Sequence, residues 1–447
     1  MTTPSDQASA IRPILHFTAP QAWLNDPHGI CWVDDTYHLF YQHNPAGNVW
    51  SSAVEWGHAT SPDLVRWRHQ PVALRPHDGE EGCWTGATLV ENGQPTIFYT
   101  SVPTGDWNRG RVAVALPDQH SRHWVSSADD VLIDGPPDGL GAHVFRDPCI
   151  FRTDQGWTMI VGVGITSGTG LVVQYTSSDA RAWTYGGVVC SRPSDETDGV
   201  WTGTMWECPQ LFRVGDDWAL VVSVWDNDTL YYCAGAVGSY DGTTFKPERW
   251  SRLTYDQTAY AMTSFTDNAG RPGVMFWLRE DADHDPASRP WAGALSLPMV
   301  ADLTADRTLR LRPHPDVDTL QQVPPLLDQP LTGRIELDDA TGLDLVLPAG
   351  ADQRWELKLS DADGQLLHAA LAPDADSVTI TRAGRPAASV PVTADTVRVI
   401  IDAGIVEIFP GSGCASFRIR ARERAALIID GATAGRVVVH RLAPALN

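Results

Sequence analysis

The sequence predicts an all-β protein, a five-bladed β-propeller followed by a C-terminal β-sandwich. A weak repeat of five motif-and-strand units in the earlier part of the chain predicts the propeller, and short alternating runs in the later part predict the sandwich. Amphipathic helical periodicity is scarce throughout the 447 residues, which excludes helical and mixed α/β folds.

Each of the five repeats combines a polar motif, a turn and an apolar strand. The copies are WLNDPHGICWVDDTYHLFYQ, CWTGATLVENGQPTIFYT, FRDPCIFRTDQGWTMIVGV, MWECPQLFRVGDDWALVVSV and YAMTSFTDNAGRPGVMFWL. With Asp26, Trp84, Asp147, Glu207 and Ala261 as markers, the steps are 58, 63, 60 and 54 residues. Repeats of this length, built of short strands, are typical of propeller blades. Because equivalent blades place equivalent motifs around one centre, we expect the five motifs to meet in one pocket.

The distribution of tryptophan marks a domain boundary. Seventeen of the eighteen tryptophans precede residue 300, and a proline-rich stretch begins at Pro313. We therefore predict a propeller over residues 1–312, a linker over 313–325 and a sandwich over 326–447. Runs such as RIELDD, LDLVLP and RWELKLSD alternate with period two, as expected for strands of a sandwich.

Composition limits the classes of binding partner and indicates the cellular compartment. The formal net charge is -22 without a basic run, so nucleic acid is excluded as a partner. No apolar stretch is long enough to span a membrane. The seven cysteines form no CxxC pair, and the N-terminus has no basic start followed by an apolar stretch. These features predict a cytoplasmic chain with buried thiols. The oligomeric state stays open.

Three carboxylates occupy equivalent repeat positions. Asp26 lies in WLNDPHG, Asp147 in FRDP and Glu207 in WECP. An Asp-Pro pair is common in turns, but a turn gives no reason for three acidic motifs to converge on one centre. Cleavage of a glycosidic bond needs two carboxyl groups, one ionised and one protonated. The sequence therefore predicts a glycosidase site.

The neighbours of the three carboxylates suggest their charge states. Asp26 follows Asn25 and possible turn N–H donors, which would lower its pKa and keep it ionised. Glu207 lies between an aromatic residue and a cysteine, so an apolar wall would keep it protonated. Asp147 is preceded by Arg146, whose positive charge would keep it ionised. Asp147 would then be a fixed anion near the reacting centre.

Aromatic residues near the motifs suit a sugar substrate, because indole rings pack against sugar C–H faces. About half of the following five are expected to line the pocket and the rest to fill the core: Trp23, Trp50, Trp84, Trp206 and Trp277. The sequence has no HExxH, no GxSxG and no glycine-rich phosphate loop, so we expect neither a metal nor a cofactor.

Taken together, these motifs resemble glycoside hydrolase family 32, the invertases, levanases and exo-inulinases. WLNDPHG is similar to the family's nucleophile segment, FRDP to its stabiliser segment and WECP to its acid/base segment. The resemblance extends to FYQHNP, WGHA and, in the tail, VRVIIDAGIVEIF. It implies a five-bladed propeller with a sandwich, in agreement with the repeats.

Residue by residue, the resemblance makes Asp26 the nucleophile, Asp147 the transition-state stabiliser and Glu207 the acid/base. It also implies a set of residues around the fructosyl unit, namely Asn25, Gln42, Trp50, Trp84, Thr85, Arg146 and Trp277. The chain departs from the family pattern at His28, at Trp84-Thr85-Gly86-Ala87 and at Gln210, which changes the lining of the pocket but no catalytic carboxylate.

The activity that follows is that of a retaining, exo-acting β-fructofuranosidase on sucrose, fructo-oligosaccharides or fructans. A fructosyltransferase would use the same residues with a sugar as acceptor. A non-catalytic sugar-binding propeller would need neither a nucleophile nor an acid/base, and an inverting pentosidase would not carry these Asn-Asp-Pro and Trp-Glu-Cys-Pro motifs. Sequence alone does not separate sucrose from inulin-type or levan-type chains.

Overall fold

The computed structural model describes residues 12–91, 93–119, 122–154, 156–281, 285, 289–382, 384–419 and 424–445. Residues 1–11, on which the expectation of a chain without a leader rests, lie outside the described residues. The described part contains one 3-10 turn (Ala128–Asp130), one single-turn helix, α1 (Pro315–Asp318), and otherwise strands. The predicted all-β class is confirmed.

The earlier part of the chain forms five groups of mainly antiparallel strands, which we call blades 1 to 5. The pairing of Gly164 with Met205 joins blades 3 and 4 into one eight-stranded sheet. Blade 1 contains β1 (Ala22–Val33), β2 (Thr36–Asn44), β3 (Glu55–Ser61) and β4 (Arg68–His69). Blade 2 contains β5 (Glu80–Glu91), β6 (Gln94–Pro103), β7 (Arg111–Pro117), β8 (Trp124–Val125) and β9 (Val131–Ile133). Blade 3 contains β10 (Ala142–Thr153), β11 (Gly156–Ile165), β12 (Thr169–Ser177) and β13 (Thr184–Pro193).

The remaining propeller strands complete two blades and close the ring. Blade 4 contains β14 (Met205–Val214), β15 (Asp217–Asp226), β16 (Thr229–Tyr240) and β17 (Phe245–Arg252). Strand β20 (Trp291–Ala292) returns to pair in parallel with β1 of blade 1. Blade 5 contains β18 (Ala259–Thr266), β19 (Pro272–Leu278), β21 (Ala294–Leu295), β22 (Met299–Leu303) and β23 (Leu309–Pro313).

The first strands of the blades form the centre of the propeller. Strands β1, β5, β10, β14 and β18 contact one another in that order, and β18 contacts β1 to complete the ring. Side chains at equivalent positions of these strands therefore face a common axis, which places the five sequence motifs together. The predicted five-bladed propeller is confirmed.

Every first strand carries a break in its ladder at the position of the sequence marker. The register shifts between Leu24 and Pro27, Trp84 and Gly86, Arg146 and Cys149, Glu207 and Gln210, and Tyr260 and Thr263. A β-bulge bends its strand and redirects a side chain, and bulges are frequent next to active sites. Asp147, Cys208 and Ala261 have positive φ angles of 67°, 46° and 48°. Such strained backbone is typical of functional positions.

The later part of the chain is a β-sandwich. Its strands are β24 (Leu327–Leu337), β25 (Leu343–Pro348), β26 (Trp355–Asp361), β27 (Gly364–Leu371), β28 (Ser377–Arg382), β29 (Ala388–Pro391), β30 (Thr396–Asp402), β31 (Ile405–Phe409), β32 (Ala415–Arg418) and β33 (Ala426–Arg441). The beginning of β33 pairs with β26 and its end pairs with β25, so this long strand joins the two halves of one ten-stranded sheet. Leucine, isoleucine and valine side chains from both halves form one buried core.

The two domains share buried residues and hydrogen bonds. One hydrophobic cluster joins Val274 and Phe276 of blade 5 to Ile400 and Phe409 of the sandwich. Backbone N–H groups of residues 14, 15 and 16 donate to the buried carboxylate of Asp402 at 2.8–2.9 Å. The N-terminal segment of the propeller is thereby fixed to the sandwich.

Candidate active site

Asp26 lies in the bulge of β1 and accepts hydrogen bonds from three blade residues. Thr85 Oγ1 donates to Asp26 Oδ2 at 2.6 Å, Gln42 Nε2 to the same oxygen at 3.3 Å, and Asn25 Nδ2 to Oδ1 at 3.1 Å. The donors also bond to one another, because Asn25 Nδ2 donates to Gln42 Oε1 at 2.7 Å. Trp23 Nε1 donates to Asn25 Oδ1 at 2.8 Å, which fixes the orientation of that amide. Neighbouring blades thus hold one carboxylate rigidly.

Glu207 lies in the bulge of β14 and is held by a cation and a phenol. Arg146 Nη2 donates to Glu207 Oε1 at 2.8 Å and Arg146 Nε at 3.2 Å. The Tyr260 hydroxyl donates to Glu207 Oε2 at 2.5 Å. Arg146 comes from β10 and Tyr260 from β18, so strands on either side of β14 position this one side chain.

Asp147 lies in the bulge of β10 and links the other two carboxylates. Its Oδ2 accepts from the backbone N–H of Cys208 at 2.9 Å, and its own N–H donates to Thr100 Oγ1 at 2.8 Å. The Cys208 thiol is 3.7 Å from both Asp147 Oδ2 and Asp26 Oδ2. The three predicted carboxylates therefore meet in one cluster around Cys208.

The lowered pKa expected for Asp26 from its neighbours is wrong in direction. Burial raises the pKa of Asp26 to about 6; the hydrogen bond from Thr85 lowers it, and the nearby charge of Glu207 raises it. The predicted donors are present, but the loss of hydration outweighs them because the site is enclosed. Asp26 is therefore ionised only above mildly acidic pH.

Arg146 acts on Asp147 in the expected direction but does not keep the pKa of Asp147 low. Burial raises that pKa to about 7, and the charge of Arg146 lowers it by less than burial raises it. The Arg146 guanidinium bonds to the carboxylate of Glu207, which lies on the first strand of the neighbouring blade.

The apolar wall expected around Glu207 is not what the structure shows. The flanking Trp206 is fully buried, packs against Trp250 and donates to Thr202 O at 3.0 Å, away from the carboxylate. Polar groups contributed by other blades surround Glu207, and sequence neighbours do not reveal them.

The predicted sugar-binding residues lie at different distances from the carboxylates. Asn25, Gln42, Thr85 and Arg146 bond to them directly. Trp84 faces the Arg146 guanidinium at 5.8 Å, and Trp50 contacts Trp84 farther out. Trp277 is buried against Trp23, with ring centroids 5.7 Å apart.

The sequence reasoning missed Tyr260, the thiol of Cys208 and the hydroxyl of Thr100. Tyr260 precedes Ala261, the marker of the fifth repeat, so the repeat itself could have identified it. It was passed over because the fifth motif contains no acid. Burial raises the pKa of Tyr260 well above its ordinary value, so its hydroxyl stays a donor to Glu207.

The described residues contain no group of three or more histidine, cysteine, aspartate or glutamate side chains arranged to hold a metal ion. They also contain no helix of the length and apolarity that crossing a membrane requires. The seven cysteines are all buried and unpaired.

A family model described as the glycosyl hydrolases family 32 N-terminal domain matches residues 16–315. The chain belongs to glycosyl hydrolase family 32. It is thus a glycoside hydrolase, as its sequence motifs predicted, and the family accounts for three carboxylates at the centre of a propeller.

The chain is similar to several proteins named as sucrose or fructan hydrolases. A sucrose-6-phosphate hydrolase of Escherichia coli is 30% identical over 366 residues, which are 78% of this chain and 74% of that protein. A fructan 6-exohydrolase of Beta vulgaris is 31% identical over 347 residues, 70% of this chain and 55% of that protein. A Bombyx mori GH32 β-fructofuranosidase mutant, solved in complex with sucrose, has a TM-score of 0.84 at 23% identity, covering 99% of this chain and 96% of that one.

Proposed function

We propose that this family 32 chain is a retaining, exo-acting β-fructofuranosidase, which releases terminal β-D-fructofuranosyl units from sucrose, fructo-oligosaccharides or fructans. The observation that carries the proposal is the convergence of Asp26, Asp147 and Glu207 from three blades on one cluster. Relatives named for sucrose-6-phosphate and for fructan hydrolysis support fructosides as the substrate class.

Asp26 is the proposed nucleophile. Its carboxylate attacks the anomeric carbon of the fructosyl unit as the bond to the leaving oxygen breaks, which gives a fructosyl ester. The donors from Asn25, Gln42 and Thr85 fix the carboxylate, so little reorganisation is needed before attack.

Glu207 is the proposed acid/base. It gives its proton to the leaving oxygen in the first step and takes one from the attacking water in the second step, when the ester is cleaved and Asp26 is released. Arg146 and Tyr260 orient its carboxyl group. Once the proton has left, the guanidinium stabilises the carboxylate that remains.

Asp147 is proposed to bind hydroxyl groups of the fructosyl unit and to stabilise positive charge at the anomeric carbon. Its carboxyl is held by the N–H of Cys208 and stands close to both reacting carboxylates.

Exo action is proposed from the position of the cluster at one end of the propeller axis. Beyond the bulges, at the other end, lies a separate cavity of about 430 Å³ lined by residues of all five first strands. Gln210, which lines this cavity, accepts at Oε1 from the N–H and hydroxyl of Ser264, both at 2.9 Å. We propose that a site at the centre of such a closed ring admits a chain end and not the middle of a chain.

The test compares Asp26→Asn and Glu207→Gln on sucrose and on β-fructosyl fluoride, whose leaving group needs no proton. Asp26→Asn should lose about four orders of magnitude in kcat on both substrates. Glu207→Gln should lose a similar factor on sucrose and far less on the fluoride. Glu196→Gln, which changes an exposed carboxylate in the loop after blade 3, is the control and should match the wild type. Equal losses on both substrates in Glu207→Gln would contradict its role as the acid.

A further inference from the structure

Two tryptophans are unusually exposed. Among the described tryptophans, only Trp50 and Trp107 are exposed, at 42% and 47%, and their rings contact each other with centroids 6.2 Å apart. Val49 beside them is 49% exposed. Leaving large apolar side chains in water is unfavourable, and a patch of them on a surface marks a place where something binds.

The exposed pair is continuous with the catalytic cluster. Trp50 contacts Trp84 with ring centroids 5.7 Å apart, and Trp84 faces the Arg146 guanidinium at 5.8 Å. Arg146 donates in turn to Glu207 at 2.8 Å. The tryptophans therefore form a path from the acid/base outward to solvent, with Trp107 at its far end.

The loop that carries Trp107 is fixed to the catalytic strand. Phe145, the residue before Arg146, donates its N–H to Asn108 O at 2.8 Å and accepts from the N–H of Gly110 at 3.0 Å. A Cβ at Gly110 would approach Phe145 O to 2.9 Å and a Thr100 methyl to 2.4 Å. Glycine therefore permits this close docking, and Trp107 is held at a set distance from the catalytic groups.

The loop that carries Trp50 is fixed to the other side of the site. Trp23 of β1 donates its N–H to Gly47 O at 2.9 Å, and Asn44 Nδ2 donates to Val49 O at 2.8 Å. Strand β1 continues directly to Asp26. Two loops from different blades, each bonded to a strand that carries a catalytic carboxylate, thus bring their tryptophans into contact.

We infer that Trp50 and Trp107 form a binding surface for the sugar units beyond the scissile bond, and that Trp107 contacts a unit that sucrose does not have. Sucrose places a single glucosyl unit outside the cleaved fructosyl, within reach of Trp84 and Trp50. A fructo-oligosaccharide chain continues outward to Trp107, where its C–H face packs on the indole. The exposed polar side chains of Asp106 and Asn108 flank that ring and suit hydroxyl groups. The inference rests on the proposed function and narrows its substrate to fructan chain ends.

The experiment measures kcat/KM of Trp107→Ala on sucrose and on a trisaccharide with two fructosyl units. Loss of one stacking contact should reduce kcat/KM for the trisaccharide about five- to tenfold, mainly through KM. The value for sucrose should change less than about twofold, because sucrose ends before Trp107. Trp107→Phe should recover part of the loss. Tyr185→Ala, which removes an exposed aromatic ring from blade 3, should change neither substrate.

Equal loss on both substrates would show that Trp107 only supports the site, and an unchanged trisaccharide value would show that it binds no sugar; either result overturns the inference. A second readout separates it from the proposed function. Binding of the trisaccharide to the Asp26→Asn protein, with and without Trp107→Ala, is followed by tryptophan fluorescence. Weaker binding in the double variant supports the surface even if the wild type hydrolyses no fructoside, and unaltered binding refutes it.

Discussion

At the scale of single residues, the site is governed by competition between burial and hydrogen bonding. Asp26 has donors from Thr85, Asn25 and Gln42, yet the pKa of its carboxyl is raised to about 6. Enclosure strengthens every interaction inside the site and also penalises the charged form of the nucleophile. The donors thus serve to keep Asp26 ionised at the pH at which the reaction proceeds.

Thr85→Val tests this balance. The Thr85 hydroxyl lowers the pKa of Asp26, so its removal should raise that pKa. Since the nucleophile must be ionised, the acidic limb of the pH profile of kcat/KM should move to higher pH by about one unit, the size expected for one hydrogen bond to a charged group. Activity at pH 6 should fall more than activity at pH 8.

Thr88→Val on the same strand is the matched control. The Thr88 hydroxyl donates to Gly29 O at 2.9 Å rather than to a carboxylate, so its loss should leave the acidic limb in place. If the acidic limb of the Thr85→Val profile stayed at the wild-type pH, a group other than Asp26 would determine the position of that limb.

The three carboxylates and their amide, hydroxyl and guanidinium neighbours could be predicted from the sequence, because each is part of a motif. The charged partners of these carboxylates and the shifts of their pKa values could not be predicted in this way. The partners of Glu207 come from β10 and β18, distant in sequence, and the pKa of Asp147 depends on burial that no local pattern shows.

At the scale of elements, the bulge in each first strand redirects the side chains of the repeated motif into the site. The repeat markers predicted the blades and their common centre, because motif spacing follows blade length. They did not predict the bulges or the positive φ angles of Asp147 and Cys208, since neither residue type signals such a backbone. Bulges let neighbouring residues such as Arg146 and Asp147 contribute to one cluster.

Gly162→Ala tests how closely the strands must approach. Gly162 on β11 pairs with Arg146, and a Cβ there would lie 2.1 Å from Trp206 O, the carbonyl before Glu207. The methyl must push β11 and β14 apart, so the variant should lose about 3 kcal/mol of unfolding free energy, typical of overpacking. It should also lose kcat, because the Arg146–Glu207 bond spans that gap. Urea denaturation and steady-state kinetics measure the two effects.

Gly235→Ala makes the same chemical change where the nearest atom to the new methyl is a Val221 methyl at 3.2 Å, and the next lies at an ordinary contact distance of 3.7 Å. It should cost less than about 1 kcal/mol and leave kcat as in the wild type. If the two variants lost the same unfolding free energy and the same kcat, the site would not depend on the close approach of strands at Gly162.

At the scale of the whole molecule, the sandwich is joined to the propeller by a buried histidine. His16 Nδ1 lies 2.9 Å from Asp402 Oδ2, and Nε2 lies 3.1 Å from Glu407 Oε2, with all three side chains fully buried. Burial lowers the pKa of His16, but the two carboxylates outweigh it and raise the pKa to about 9. The propeller and sandwich follow from sequence patterns, whereas this contact joins residues almost 400 positions apart and has no local signal.

The raised pKa of His16 makes domain stability depend on pH. Its folded pKa of about 9 lies above the ordinary 6.5, so its contribution is complete below pH 6.5 and is lost as pH rises through about 9. The contribution should amount to about 3 kcal/mol of unfolding free energy. His16→Gln should be less stable at pH 6, and the difference from the wild type should shrink by pH 9.5. Denaturant unfolding of both proteins at the two values measures this, and a constant difference would contradict it.

The stereochemistry of the first-formed product tests the roles of Asp26 and Glu207 most directly. A nucleophile that forms a fructosyl ester inverts the anomeric carbon twice, so a retaining enzyme releases fructose with the configuration of its substrate. Carbon-13 NMR of sucrose labelled at the fructosyl anomeric carbon, recorded during the first minutes of hydrolysis before mutarotation, should show β-fructofuranose. Initial release of the α-anomer would mean that water attacks the substrate directly, and Asp26 would then not be the nucleophile.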